Sequence, residues 1–277
     1  MTGNSPNREE QLIANTAAPV TRISVANELR AMGLQSGGLV LMHTALSQLG
    51  WICGGEQAVL EAVFDILGPD GTLVMPGFSS QISDPADWNS PPVPKDWVQK
   101  IRDNMPVFDR DATPTRGMGR LAELFRKLPD TGQSNHPNDS FLARGPLAGE
   151  ILQNQPLQNP FGADSPLGRL HDNKAKVLLL GTGYRSCTSF HLAEDGLDGV
   201  EPESVSYPTG RVNGVTVWSS FNRPRSFEAS FPEIGAELDR LPGAVSTGFN
   251  DSARLFLMVQ AVAQARDWFA RADLSAL

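Results

Sequence analysis

Two apolar spacings alternate along the chain. Short continuous runs, Gly38-Leu-Val-Leu-Met-His43, Gly71-Thr-Leu-Val-Met-Pro76 and Lys176-Val-Leu-Leu-Leu180, predict strands buried on both faces. Between them, apolar residues recur at helical spacing. Val59, Leu60, Val63, Phe64 and Leu67 predict a helix over Gly55 to Leu67, stopped by Gly68-Pro69. Thr21 to Met32 reads as a helix ending at Gly33, and Met118, Leu121, Leu124, Phe125 and Leu128 mark another. Asn213-Gly214 between β-rich runs predicts a hairpin. Asp251 to Ala270 predicts a closing helix with Leu255, Val259 and Val262 inward. Strand–helix–strand units with fully apolar strands imply an α/β fold. A mostly parallel central sheet would carry helices on both faces and end in a hairpin plus helix.

The stretch from Gly77 to Gly117 breaks this rhythm with Ser83-Asp84-Pro85, Pro91-Pro92-Val93-Pro94 and Thr113-Pro114-Thr115-Arg116. A long Pro-rich excursion inside a compact domain is either a surface detour or a wall of a binding site. The polar, acidic opening residues lack the basic flank and apolar core of a signal peptide. Residues 1–18 are therefore expected to be a flexible tail and 19–277 a single domain. Cys53 and Cys187 are too few for a disulfide scaffold, lack metal-site spacing and read as small buried packing residues. A cytoplasmic protein is expected. The balance of 23 basic against 31 acidic residues, net −8, argues against nucleic acid as a partner. It is compatible with a cationic ligand. No apolar run approaches the roughly 20 residues needed to cross a bilayer.

The most informative chemistry lies in GTGYRSCTSFHLAE, residues 181–194, directly after the third strand. On a helix His191 and Glu194 share one face. An imidazole at the mouth of a strand–turn–helix unit, oriented by a carboxylate, suits a general base. His-x-x-Glu also occurs by chance on many helix surfaces.

Further motifs bear on that choice. Leu41-Met-His-Thr-Ala-Leu-Ser-Gln-Leu-Gly50 comes first, followed by Gly68-Pro-Asp-Gly-Thr-Leu-Val-Met-Pro76 and Ser83-Asp-Pro-x-x-Trp88. Thr113-Pro-Thr-Arg-Gly-Met-Gly119, His136-Pro137, Ser165-Pro-Leu-Gly168 and His191-Leu-Ala-Glu194 follow in order. Together they resemble the aminoglycoside 3-N-acetyltransferase (antibiotic N-acetyltransferase) family, with the greatest likeness to actinomycete and environmental members. Beyond residue 195 the likeness is faint. The resemblance implies a fold distinct from the smaller, more common acetyltransferase fold. It also implies acetyl transfer from acetyl-coenzyme A to the 3-amino group of 2-deoxystreptamine aminoglycosides, with no metal, in a monomer or homodimer. His191 would match the catalytic base and act by direct transfer, with Glu194 fixing its tautomer or binding substrate. His43, Thr44, Ala45, Leu46 and Ser47 would hold the coenzyme, with Thr44 near the thioester. Arg116, Gly117 and Met118 would contact the pantetheine or pyrophosphate. Asp84, Asp87, Glu194, Glu228 and His136 are the candidate contacts to a cationic substrate.

Two departures bear on the acceptor. Asp195-Gly196-Leu197 stands where many relatives have an aromatic-basic pair, and no acid directly follows Trp218. Glu228 is the nearest downstream replacement. Other readings are a different amine as acceptor, a non-catalytic coenzyme- or amine-binding relative, or a metal-dependent hydrolase in which His191, Glu194 and another histidine bind zinc. The last has little support among four histidines with no HExxH spacing.

Overall fold

The computed structural model describes residues 8–275. Its strands are β1 (Leu39–Thr44), β2 (Thr72–Pro76), β3 (Gly132–Gln133), β4 (Phe141–Arg144), β5 (Lys176–Leu180), β6 (Glu203–Val212), β7 (Val215–Arg223), β8 (Val245–Gly248) and β9 (Ala253–Leu257). The helices are α1 (Arg8–Ala14), α2 (Arg22–Ala31), α3 (Gly55–Leu67), α4 (Val98–Asn104), α5 (Gly119–Arg126), α6 (Ala148–Leu152), α7 (Pro166–Asp172), α8 (Phe231–Asp239) and α9 (Met258–Phe269). Seven strands form one sheet in the order β3-β4-β2-β1-β5-β9-β8, and β6 and β7 form a separate hairpin.

β1 pairs in parallel with β2 and β5, and the remaining sheet neighbours pair antiparallel. Strands β3, β2, β1, β5 and β8 therefore run one way, and β4 and β9 run the other. The parallel ladders are confined to the centre, where the apolar runs are unbroken. Alternate residues of each strand enter opposite cores. Val40, Met42, Leu73, Met75, Leu178 and Leu180 pack with α2, α3 and α5, whereas Leu41, Val74, Val177 and Leu179 pack with α6 to α9. Helices thus cover both faces.

The helix expected over Asp251 to Ala270 needs correction. Ala253–Leu257 is strand β9, and only Met258–Phe269 is helical. A short apolar run fits either element. Pairing decides here, because β9 satisfies the edge of β5 that β1 leaves open.

Other expectations are met in part. α3 spans Gly55–Leu67, and α2 is opened by a capping box between Thr21 and Ser24. Asn213 and Gly214, both at positive φ, close the β6–β7 hairpin. The first 18 residues, expected as a tail, contain α1, anchored where the Trp51 indole N–H donates to Glu9 at 3.1 Å and its backbone N–H to Thr16 Oγ1 at 2.8 Å. Residues 1–7 lie outside the described residues. The Pro-rich excursion carries α4 and is tied to the hairpin. There the Trp218 indole donates to Arg102 O at 3.0 Å and the Thr216 hydroxyl to Met105 O at 2.6 Å. Cys187 is buried, but Cys53 is exposed at a turn and packs no core.

Candidate active site

Because β2, β1 and β5 are parallel, the loops after them emerge at one edge, where open α/β sheets place their ligands. Gly181, just past β5, has φ of 72°. A Cβ there would meet the Ala45 carbonyl at 2.4 Å, so the loops after β1 and β5 come together only because this residue is glycine. Between them lies a cavity of about 310 Å³ whose walls include His43, Thr44, Met118, Arg185, His191 and Glu228.

His191 sits on a 3₁₀ stretch, Thr188–Ala193, rather than the expected α-helix. The pairing with Glu194 survives because residues three apart eclipse on a 3₁₀ helix. His191 Nδ1 lies 2.7 Å from Glu194 Oε2, and Glu194 Oε1 accepts the Phe227 backbone N–H at 2.7 Å. Both carboxylate oxygens are thereby fixed, and the pair is buried. The other ring nitrogen, Nε2, stands 3.4 Å from Glu228 Oε1. Phe161 stacks on the imidazole at 4.6 Å between centroids, and Phe231 meets it edge-on at 4.9 Å. Burial pulls the His191 pKa down, but the charges and hydrogen bonds of Glu194 and Glu228 outweigh it and raise it to about 9. His43 shows the opposite result. Burial, and then the charge of His191, lower its pKa to about 3, so it stays neutral. Its Nε2 has no partner among the described residues.

Sequence comparison matches this chain to the aminoglycoside 3-N-acetyltransferase family over residues 41–270. It belongs to that family. The match continues past residue 195, where the motif likeness fades. A prophage-derived aminoglycoside N(3′)-acetyltransferase-like protein of Bacillus subtilis, YokD, is 39% identical over 95% of this chain and 97% of its own length. The crystal structure of YokD superimposes with a TM-score of 0.89 over 95% of this chain and 98% of that one. Aminoglycoside N(3)-acetyltransferase IX of Micromonospora chalcea is 34% identical over 80% of this chain and 79% of its own. The Bacillus protein shares more than this actinomycete enzyme, against the expectation of greatest likeness to actinomycete members. A CoASH-bound structure of AAC-IIIb is 26% identical, with a TM-score of 0.77 over 92% of this chain and 97% of that one.

Within this acetyltransferase-family site, the expected residues divide. Thr44, Gly117 and Met118 line the cavity with His43, His191 and Glu228. Ala45 does not offer its N–H, which donates to Leu180 O at 2.9 Å. Leu46 packs against the core on the α3 side, and Ser47 is exposed on the turn beyond. Neither lines the cavity. Arg116 is exposed outside it, with its backbone N–H on Phe78 O at 2.8 Å.

Two substrate contacts expected from sequence require correction. Asp84 is engaged bidentately by Arg102, at 2.9 and 2.6 Å, and also accepts the Ala86 N–H. Its charge is already paired. His136 is fully buried, and its Nδ1 accepts the N–H groups of Asp139 at 2.8 Å and Asn138 at 3.2 Å. Its Nε2 faces Leu157 O at 3.4 Å, so both ring nitrogens are engaged in shaping a loop. Asp87 remains a largely exposed residue whose carboxyl pKa is raised by partial desolvation and by the charge of Asp84.

Arg185, Ser186, Thr188 and Phe161 were missed. The first three fall inside the informative 181–194 stretch, but which of them faces the cavity depends on its 3₁₀ turns. Phe161, from an irregular loop, carried no signal. Among the described residues no three His, Cys, Asp or Glu side chains are grouped to hold a metal, and no helix is long and apolar enough to cross a membrane.

Proposed function

We propose that this chain transfers the acetyl group of acetyl-coenzyme A directly to the 3-amino group of a 2-deoxystreptamine aminoglycoside, with His191 as general base. The observation that carries this reading is the buried His191–Glu194 pair at the cavity between the loops after β1 and β5. Family membership and the CoASH-bound relative support the donor. A relative bound to sisomicin, AAC-VIa, 26% identical with a TM-score of 0.78 over 92% of this chain and 100% of that one, supports the acceptor class.

The ammonium must lose a proton before its nitrogen can attack the thioester carbon. Glu194 holds Nδ1, which leaves Nε2 as the accepting atom. As the tetrahedral intermediate collapses, the C–S bond breaks and the thiolate takes the proton that His191 received. One ammonium proton ends on sulfur, one remains on the amide nitrogen and one goes to solvent. The Thr44 hydroxyl, at the end of β1 on the cavity wall, would donate to the thioester oxygen as charge develops there. His43, neutral beside His191, adds no competing positive charge. Only neutral His191 accepts a proton, so kcat/KM should climb with pH toward about 9.

A different, less cationic amine is the second reading. It is favoured by the pairing of nearby acids with arginines, Asp84 with Arg102 and Glu203 with Arg223 at 2.6 Å. Incubation with acetyl-coenzyme A and a panel of aminoglycosides and simple amines, read by thiol release and by mapping the acetylated nitrogen, distinguishes the two. Acetylation at the 3-amino group supports the first reading. Release only with unrelated amines supports the second, and no release from any amine overturns both.

A further inference from the structure

Glu194 and Glu228 both contact His191, yet they are held very differently. Glu194 is buried with both oxygens fixed. The Glu228 side chain is 55% exposed, and among the described residues its one polar contact is the 3.4 Å approach to Nε2. The two share a segment: the Phe227 N–H pins Glu194, and the next side chain covers the reactive nitrogen. Glu228 therefore stands on the atom that has to receive the substrate proton.

Of the other acids nearby, Asp87 is exposed and does not line the cavity, and the rest are committed. Arg102 holds Asp84, and Arg223 holds Glu203 at 2.6 Å and Asp139 at 3.5 Å. Glu228 is the carboxylate at the cavity wall that can move without breaking a buried pair. The acceptor must bring a positive charge to within reach of Nε2, and a protonated His191 would repel it.

We propose that Glu228 is a latch on the base: in the empty site it holds Nε2 in the protonated state, and the incoming ammonium takes over its carboxylate, so that His191 gives its proton to solvent and is left neutral for the reaction. Binding would then proceed as protonated His191 plus ammonium yielding neutral His191, bound ammonium and one released proton. The direction follows from the charges. An adjacent carboxylate stabilises imidazolium, and moving it to another cation removes that stabilisation. The groups facing the ring agree with it. Glu194 comes from its own turn, Glu228 from the segment before α8 and His43 from the end of β1. Arg185 and Arg223 act on Glu228 electrostatically. α7 and α9, packed against the same turn, present the apolar Leu167, Leu170, Ala261 and Val262. Nothing titratable on those buried faces competes.

The inference rests on His191 being the base, but its first test needs no turnover. Imidazole NMR titration of the whole protein without substrate should show the His191 midpoint falling by about 1 pH unit or more in Glu228→Gln. Glu228→Asp should retain part of the elevation, since the carboxylate remains. An unchanged midpoint in Glu228→Gln overturns the latch. The second test titrates sisomicin into the wild type near pH 8 by calorimetry, in buffers of different ionisation enthalpy. Proton release on binding, absent in Glu228→Gln, supports the latch, and binding without release overturns it. If sisomicin does not bind, the aminoglycoside reading fails while the NMR result still decides whether Glu228 controls His191. Where an amine is turned over, the rising limb of kcat/KM should move to lower pH in Glu228→Gln, with KM for the amine raised more than kcat is lowered.

Discussion

At the scale of single residues, the site depends on who holds each charge. Glu194 is fixed by a histidine on one oxygen and a backbone N–H on the other, both out of water. Removing one member of a buried pair leaves the other uncompensated, at a cost of about 3–5 kcal/mol. Glu194→Ala should therefore lower the denaturation midpoint strongly as well as impair turnover, whereas Glu194→Gln, still able to accept the Phe227 N–H, should cost less. Equal stability for the alanine variant, measured in urea, would mean the pair is not held as described. The His191–Glu194 pair was legible because both members lie three residues apart. The pairing of Asp84 was not, because Arg102 stands 18 residues away and only folding of the excursion brings them together. His136 was equally opaque: its partners are backbone groups, which side-chain patterns do not reveal.

Among the elements, what decides legibility is how far each determines its own environment. β1, β2 and β5 are buried on both faces and announce themselves as unbroken apolar runs. β9 and the short β3, β4 and β8 are strands because a neighbour offers an unpaired edge, information held in the sheet rather than in the segment. The same dependence positions the site, since the loops after β1 and β5 meet only at Gly181. Gly181→Ala would force a side chain against the Ala45 carbonyl at positive φ. It should destabilise the protein by about 1–3 kcal/mol and weaken coenzyme binding by displacing Thr44. Calorimetry with coenzyme A checks the second effect. Affinity equal to wild type would separate the β1 loop from the coenzyme.

For the whole molecule, the net charge of −8 is compatible with a cationic ligand, but much of the acidity near the site is paired internally. Arg102 and Arg223 take up Asp84, Asp139 and Glu203 close to the site. Screening over roughly 8–10 Å at physiological ionic strength acts mainly on exposed charge, which here leaves Glu228 and Asp87. Raising salt should thus increase KM for a polycationic acceptor, and Asp87→Asn should flatten that dependence. Asp84→Asn should change stability more than salt response, because its carboxylate already has Arg102. Parallel responses in the two variants, measured as KM against salt, would contradict this division.

The most direct test of the central claim is thiol release from acetyl-coenzyme A with an accepted amine, followed against pH for wild type and His191→Ala. Wild-type kcat/KM should rise toward a midpoint near 9. His191→Ala should lose about 10²–10⁴-fold in turnover and lose that rising limb, while coenzyme binding stays close to wild type. Near wild-type turnover at neutral pH in the alanine variant, with the same rising limb, would contradict the account.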